Sequence, residues 1–358
     1  MLVVNLHRSR LVGGVGGAVV LALLLAACTS GSNQSSSSSS TSTSTANPGA
    51  SSASPSAQAL QSSYIDVVNK VRPSVVEITT DMGLGSGVVY DTKGNIVTND
   101  HVVRGATSFQ VTLTNGQKLP AKLVGEFAPD DLAVVNVSGA NGLTPANFAD
   151  SSKVQVGQIA LAIGNPLGLS SSVTNGIVSY NGRTVSEDRQ VTLANTIQTS
   201  APINPGNSGG ALADLDSNVI GIPTLAATDQ QNGGAAAGIG FAIPSNTVKL
   251  IAGQLASGGK VTNSGRAALG ITATTGYNNS GQPAGVLVVQ VQPGGGADKA
   301  GLKAQDVITS VNGQKTTSTS ELNDVLAGLK PGDQAKVTVQ QAGGGQKTVT
   351  VTLGQLPG

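Results

Sequence analysis

Three side chains that together can activate a serine hydroxyl occur along this chain in the order histidine, aspartate and serine. His101 is the one histidine beyond the first ten residues. Asp131 directly precedes the apolar residues 132–135, and Ser208 lies in the segment Asn-Pro-Gly-Asn-Ser-Gly-Gly at residues 204–210. A histidine can take the serine proton while an aspartate fixes the histidine tautomer, which makes the hydroxyl a nucleophile toward a carbonyl carbon. The pattern therefore predicts acyl-transfer chemistry by His101, Asp131 and Ser208.

Glycines surround Ser208 and suit the open backbone that an oxyanion site needs. Gly206 brings an N–H group close to the serine without a side chain, so we predict an oxyanion hole formed by Gly206, Asn207 and Ser208. On its own the segment would be better explained as a turn, and a single histidine at a strand end more often has a structural role. Asp130 is the alternative to Asp131 as the orienting acid, but Asp131 adjoins the apolar run. The three residue types together favour the catalytic interpretation.

The order His, Asp, Ser is that of trypsin-like proteases, in which the cleft lies between two β-barrels. Short, β-branched segments bounded by turns predict such barrels at about residues 73–145 and 150–245, with helices over residues 57–72 and 244–258. The chain resembles the HtrA (Deg) family of bacterial trypsin-like serine proteases over residues 75–353. The segments that carry this resemblance are residues 85–89, 97–103, 131–134, 164–169, 173–179, 204–210 and 240–244.

The resemblance implies a serine endopeptidase that cleaves misfolded or unfolded proteins and assembles as a homotrimer. By position, the residues expected to line its specificity pocket are Ala201, Pro202, Ile203, Thr224, Leu225 and Ala226. None of them carries a charge, so we expect cleavage after small or medium aliphatic residues. Two other functions stay open at this point. One is an HtrA-like chaperone or peptide-binding scaffold with little turnover, and the other is a structural or adhesive protein of the cell surface.

The last part of the chain, residues 262–355, resembles a PDZ domain. Its resemblance to the loop that receives the carboxylate of a peptide assigns three residues to peptide binding: Leu269, Gly270 and Ile271. Such a loop holds the carboxylate on backbone N–H groups, and the peptide adds to the sheet as a strand. A Ser-Thr-Ser-Glu capping box at residues 318–321 predicts a helix that continues to Leu329 and forms the other groove wall. We therefore expect the domain to recognise peptide C-termini, and the alternative is that it only caps the protease.

The first 27 residues have the features of an export signal, with basic residues ahead of an uncharged stretch at residues 11–27. The stretch ends at Leu-Ala-Ala before Cys28, which resembles the lipobox of bacterial lipoproteins. That resemblance implies lipidation of Cys28 and cleavage before it. The lipid would anchor the protein to the cell membrane on its extracytoplasmic side. A retained transmembrane helix is the alternative, but the stretch is shorter than the ~20 apolar residues that a bilayer core requires. Residues 28–58 are small and polar and predict a flexible tether.

Composition excludes several classes of function. A net charge of +1 and 2% aromatic residues provide neither a basic surface nor stacking platforms for nucleic acid. A single cysteine and two histidines do not supply a zinc site, and we predict no metal and no cofactor. The 48 glycines and the aliphatic cores predict a mainly β chain. We expect a protease domain with two six-stranded barrels at residues 59–258, then a PDZ domain of the sandwich or barrel type with helices.

Overall fold

The computed structural model describes residues 54–139, 142–165, 172–186, 192–204, 206–228 and 235–357. The predicted export signal, Cys28 and nearly all of the predicted tether lie outside the described residues. Within these ranges, no helix combines the length and the apolar character needed to cross a membrane.

Six antiparallel strands form the first barrel. They are β1 (Val75–Thr80), β2 (Leu84–Val89), β3 (Asn95–Thr98), β4 (Phe109–Thr112), β5 (Lys118–Phe127) and β6 (Leu132–Asn136). The barrel closes in the order β1-β2-β3-β6-β5-β4. A predicted helix is confirmed as α1 (Pro55–Val71), which begins where the Ser54 hydroxyl accepts from the N–H of Ala57. The one-turn helix α2 (Asp100–Val103) follows β3 and carries His101.

A second closed barrel follows, with the strand order β10-β11-β12-β9-β8-β7. Its strands are β7 (Ile159–Gly164), β8 (Ser172–Ser186), β9 (Thr192–Thr199), β10 (Ala211–Ala213), β11 (Val219–Thr228) and β12 (Ala235–Pro244). The predicted helix after it is confirmed as α3 (Ser245–Gly258), which ends at Gly259 with a left-handed backbone. This helix buries Val248, Ile251 and Leu255, each of which contributes ~1.5–3 kcal/mol by leaving water.

The C-terminal domain has a mixed set of short elements around one main sheet, and its first and last strands pair separately. They are β13 (Ala267–Ala268), β14 (Ile271–Tyr277), β15 (Pro283–Val291), α4 (Gly296–Lys299), β16 (Val307–Val311), β17 (Gln314–Lys315), α5 (Thr319–Ala327), β18 (Gln334–Gln340), β19 (Gln346–Thr352) and β20 (Gly354–Gln355). The sheet order is β14-β15-β16-β18-β19, which puts β14 at one edge. Helix α5 begins at the predicted cap, where the Ser318 hydroxyl accepts from the N–H of Glu321.

Aliphatic side chains fill the core of every domain. One cluster lies between the two barrels and also takes in α1 and α3, and two further clusters fill the barrel interiors. A separate cluster supports the C-terminal sheet. The predicted fold class is confirmed: a mainly β chain with a trypsin-like protease fold followed by a PDZ domain. The shared cluster matters for function because it fixes the two barrels on either side of one cleft.

Candidate active site

His101 and Asp131 are joined by two hydrogen bonds. His101 Nδ1 lies 2.8 Å from Asp131 Oδ2, and the backbone N–H of His101 donates to Asp131 Oδ1 at 2.9 Å. The side chain of Asp131 is 1% exposed, whereas that of His101 is 33% exposed. A buried carboxylate at Nδ1 favours the tautomer with the proton on Nδ1, which makes Nε2 the basic nitrogen. The pair therefore has the geometry of a histidine base and its orienting acid.

The turn before β6 sets the direction of the Asp131 side chain. Residues Ala128–Asp130 form a short 3₁₀ turn, and Asp131 follows with φ 49° and ψ 45°. Aspartate enters this left-handed region more readily than most residues, because its short polar side chain can bond locally. Asn99 holds the same turn from the end of β3, since its side-chain amide donates to the Asp131 carbonyl at 3.0 Å. The positions of His101 and Asp131 thus both depend on the contact between the end of β3 and the turn before β6.

Thr224 of β11 connects this pair to Ser208. Its hydroxyl donates to Asp131 Oδ2 at 2.5 Å, and its carbonyl accepts from Ser208 Oγ at 3.2 Å. Because Thr224 belongs to the second barrel and Asp131 to the first, the bond crosses the cleft. The structure therefore brings His101, Asp131 and Ser208 together around one threonine. The sequence places Thr224 in the specificity pocket, whereas its buried hydroxyl faces Asp131.

The loop that carries Ser208 is packed closely against the first barrel. The N–H of Ser86 in β2 donates to the Ser208 carbonyl at 2.9 Å, and Gly209 N donates to the carbonyl of Pro223 at 3.0 Å. Gly209 has φ 79°, and a Cβ there would lie 2.1 Å from the Ser86 carbonyl oxygen. Only glycine fits this position, because a side chain would meet both a strained backbone and a neighbouring strand.

Inside the same loop, the N–H of Asn207 donates to the carbonyl of Asn204 at 3.0 Å. This bond closes a turn and occupies the Asn207 donor. Of the three predicted oxyanion donors, Gly206 and Ser208 are therefore the two that we retain for a reaction scheme.

The predicted pocket residues lie beside this loop. Ala201 and Ile203 are buried, and Pro202 between them is exposed. A Cβ on Gly240 of β12 would lie 2.4 Å from Ile203 Cγ1, so the Ile203 side chain packs directly on that glycine. Leu225 and Ala226 continue β11, and their side chains lie outside the described part of the structure. The described lining is apolar at Ala201 and Ile203.

Comparison with known proteins agrees with this geometry. Residues 85–222 match the trypsin-like peptidase domain, and residues 267–353 match the PDZ domain. The chain is 42% identical over 279 residues to serine protease Do-like HtrA of Lactococcus lactis subsp. lactis (strain IL1403), covering 72% of this chain and 68% of that protein. The chain belongs to the HtrA family of serine proteases.

Other relatives and solved structures of HtrA proteins support this placement. Serine protease PepD of Mycobacterium tuberculosis (strain ATCC 25618 / H37Rv) is 39% identical over 334 residues, which is 86% of this chain and 70% of PepD. The chain spans 57% of the periplasmic pH-dependent serine endoprotease DegQ of Escherichia coli (strain K12), at 41% identity. The structure of the HtrA-type protease AlgW with tripeptide superposes with a TM-score of 0.56 at 33% identity, covering 82% of this chain and 98% of that one.

The PDZ domain of this HtrA chain contains a groove of about 540 Å³ between β14 and α5. The predicted carboxylate-loop residues Leu269, Gly270 and Ile271 line it at one side. Leu322 and Leu326 of α5 line the opposite side. The groove therefore has a backbone loop, an edge strand and an apolar helix face, which is the arrangement that strand addition of a peptide uses.

Asp130, the alternative acid, faces away from the histidine and toward the PDZ domain. Its Oδ1 lies 3.1 Å from Nη1 of Arg266, and that guanidinium also donates to the carbonyls of Pro129 and Thr192. Burial raises the pKa of Asp130 to about 6, and the charge of Arg266 opposes this shift only in part. Asp130 therefore joins two domains, while its neighbour Asp131 contacts His101.

Asp100, next to His101, is a further buried acid of the cleft region. Its Oδ2 accepts from Arg104 Nε at 2.7 Å, and burial raises the pKa of its carboxyl. This pair ties down the first turn of α2, which carries His101. In the part of the chain that the structure describes, no three His, Cys, Asp or Glu side chains form a group that could hold a metal ion.

Sequence reasoning missed the contacts that cross between segments. The bond from Thr224 to Asp131, the amide of Asn99 and the inter-domain Arg266 all join residues far apart in the chain. A signal was present only for Asn99, which lies in a motif that the family resemblance includes. Neither Thr224 nor Arg266 carries a local pattern that distinguishes it from a residue of an ordinary strand or loop.

Proposed function

We propose that the chain is a serine endopeptidase in which Ser208 is the nucleophile, His101 the general base and Asp131 the orienting acid. The observation that carries this proposal is the single hydrogen-bonded group in which Asp131 binds His101 Nδ1 and Thr224, while Thr224 binds Ser208. Such a buried, polar connection across two barrels has a clear use in catalysis, because it holds three groups in register.

The reaction begins with a change of partner for the Ser208 hydroxyl. In the resting structure Oγ donates to the Thr224 carbonyl at 3.2 Å, which is long for a hydroxyl hydrogen bond and therefore weak. A rotation about the Cα–Cβ bond turns the proton toward His101 Nε2 as Oγ attacks the peptide carbonyl. The N–H groups of Gly206 and Ser208 stabilise the oxyanion, and His101 then gives the proton to the leaving amine. In the second half of the reaction, water attacks the acyl-enzyme with His101 as the base, and Ser208 leaves with the proton that His101 returns.

Cleavage follows small or medium aliphatic residues in this proposal. The buried side chains of Ala201 and Ile203 offer an apolar surface and no carboxylate to pair with lysine or arginine. Unfolded or misfolded proteins are the proposed substrates, because their aliphatic residues are exposed in extended segments.

Peptide C-termini are the proposed ligands of the PDZ groove. The groove offers backbone N–H groups near Gly270, an edge strand in β14 and leucines on α5. The related AlgW has been solved with a tripeptide and with a decapeptide, which supports a peptide ligand.

The proposed location is outside the cytoplasm, with a lipid on Cys28 as the anchor and residues 28–58 as a tether. The sequence ahead of Cys28 supports this, and relatives such as DegQ are periplasmic by name. We propose a homotrimer as the working assembly on the basis of the family resemblance. Loss of a Cys28→Ser variant from the membrane fraction, and the mass of the purified chain by light scattering, test the two points.

The experiment that tests the activity is digestion of unfolded casein by residues 54–358 and by the matched Ser208→Ala variant. We expect fragments from the first protein, with ends after Val, Ala or Leu, and background cleavage from the second. Equal cleavage by both proteins would contradict the assignment of Ser208. Fragment ends after Lys or Arg would contradict the proposed pocket. Suppression of casein aggregation without cleavage by the first protein would favour the alternative, a peptide-binding chaperone.

A further inference from the structure

Ser86 contacts the nucleophile loop through both its backbone and its side chain. It lies in β2 and is fully buried. Its N–H donates to the Ser208 carbonyl at 2.9 Å, and its hydroxyl donates to the Gly206 carbonyl at 2.5 Å. One residue of the first barrel thus holds two carbonyls of the loop in the second barrel, on either side of Asn207.

The Ser86 hydroxyl also accepts a hydrogen bond, which fixes its orientation. Its oxygen accepts from the N–H of Asn165, just after β7, at 2.8 Å. The Ser86 carbonyl accepts from the Thr98 hydroxyl at 2.7 Å. Because the hydroxyl has one proton and that proton points to Gly206, the acceptor bond from Asn165 sets its direction. The hydroxyl therefore works as a fixed donor aimed at the loop.

Gly206 is the residue of the loop that most needs such a restraint. It has φ 106°, a conformation open to glycine, and glycine also moves easily between backbone states. Gly164 also lies close to this carbonyl, since a Cβ there would be 2.5 Å from the Gly206 oxygen. The carbonyl thus occupies a narrow site beside Gly164 and the Ser86 hydroxyl. This carbonyl belongs to the peptide between Gly206 and Asn207, which connects the two peptides that carry the N–H groups of Gly206 and Ser208. Without the Ser86 hydroxyl this middle peptide would lose its buried donor and could rotate, which would redirect the N–H groups on either side.

We propose that the Ser86 hydroxyl is a positioning group for the oxyanion hole, because it keeps the Gly206 carbonyl turned away from the cleft. The inference rests on the proposed function, since an oxyanion forms only if Ser208 attacks a carbonyl. It extends that function by a residue outside the triad. Ser86 touches no reacting atom and acts through the Gly206 and Ser208 backbone.

The test compares the wild-type chain with Ser86→Ala on a peptide substrate that has an aliphatic residue before the cleaved bond. Removing one oxyanion donor costs on the order of 10²–10³ in kcat, and misplacing one should cost less, so we expect a loss of ~10–100-fold. KM should change by less than ~3-fold, because the ground-state carbonyl makes little use of the hole. A peptide aldehyde, whose adduct carries an oxyanion, should lose affinity by the same factor as kcat/KM.

Two further variants separate positioning from loss of stability. Thr196→Val removes another buried hydroxyl, which lies on β9 of the second barrel and donates to the Arg183 carbonyl at 2.7 Å. It should lower the melting temperature but leave kcat and aldehyde affinity unchanged. Ser86→Thr keeps the donor and should restore most of kcat. If Ser86→Ala does not fold, Ser86→Cys replaces it, because a thiol is a weaker donor of similar size.

The outcomes distinguish the two proposals. A wild-type chain that cleaves, together with a folded Ser86→Ala variant whose kcat and aldehyde affinity stay within twofold of wild type, would overturn the role of Ser86 alone. A kcat loss without a matching loss of aldehyde affinity would overturn it too. A folded wild-type chain that neither cleaves nor binds the aldehyde would overturn the proposed function and this inference with it.

Discussion

In the catalytic cleft, buried polar groups bond to one another across two barrels, whereas the PDZ groove is an open channel lined largely by aliphatic side chains. Asp131 is 1% exposed and accepts from both His101 and Thr224. In the groove, the leucines Leu322 and Leu326 of α5 share the lining with the edge strand β14, which has backbone polar groups to offer a peptide. The difference follows from what each region has to do. Moving a proton requires a few atoms at fixed positions, while binding a peptide requires area and a line of backbone donors and acceptors.

The two regions should therefore respond differently to a change of a few atoms. A single wrong atom in the cleft removes a function, because the groups act as a unit. A single truncation in the groove removes only part of the buried area. Mutations of matched size in the two regions test this difference.

The largest effect is expected for Asp131→Asn. An amide in place of the carboxylate favours the wrong histidine tautomer, which costs ~10⁴ in kcat in a triad. The adjacent Asp130→Asn is the matched control, since it makes the same chemical change on the side of the turn that faces Arg266. We expect less than a ~10-fold effect from it. Steady-state cleavage of the peptide substrate measures both, and equal losses would contradict the division of roles between the two acids.

A smaller effect is expected for Leu326→Ala in the groove. The truncation removes about 1–2 kcal/mol of apolar contact, which corresponds to ~5–30-fold weaker binding of a peptide with an aliphatic C-terminus. Cleavage of a short peptide blocked at its C-terminus should not change. Leu329→Ala is the control, because both leucines pack on the core of the domain but, of the two, Leu326 is the one that lines the groove. Fluorescence anisotropy of a labelled peptide is the measurement, and equal affinity in wild type and Leu326→Ala would show that the groove is not the binding site.

A third effect concerns stability and not activity, and it is expected in the pH dependence of the free energy of unfolding at Asp130. Burial raises its pKa in the folded chain to about 6 from 3.8, so the folded state binds this proton more tightly than the unfolded state does. Its contribution to stability is then present at low pH and is lost as the pH rises from about 4 through 6. Since one pKa unit is worth about 1.4 kcal/mol, the loss is at most about 3 kcal/mol.

Asp130→Asn cannot titrate and should not show this loss. Between pH 4 and pH 7 the free energy of unfolding of the variant should therefore rise relative to wild type, whatever the offset between the two proteins. Urea unfolding at several pH values measures this difference. A difference that stays flat over the range would mean that the Arg266 charge balances burial at Asp130, and one that changes in favour of wild type would mean that the charge outweighs burial.

Much of the fold could be predicted from local patterns. β-branched segments mark strands that the structure contains, and the capping box at Ser318 marks the start of α5. His101, Asp131 and Ser208 carry recognisable surroundings, and the structure places them together. The rest depends on contacts between distant segments. That Thr224 donates to Asp131, or that Ser86 holds Gly206, follows only from how the two barrels pack, and neither residue differs locally from its neighbours in a strand.

The two neighbouring aspartates, Asp130 and Asp131, illustrate what local sequence can predict and what it cannot. Adjacency to the apolar strand favoured Asp131, and the structure turns its side chain to His101 through a left-handed backbone. Nothing in the local sequence indicates that Asp130 has a partner in another domain. Its partner Arg266 lies 136 residues further along the chain.

The most direct measurement of the central claim is covalent labelling of the folded chain with a peptidyl phosphonate that has a valine side chain, followed by mass spectrometry of the modified residue. It should be run with and without a C-terminal peptide, beside Asp131→Asn. We expect one adduct on Ser208 of the wild-type chain and a labelling rate lower by ~10³ or more in the variant. A folded wild-type chain whose Ser208 stays unlabelled in both conditions, or that labels as fast after Asp131→Asn, would contradict it.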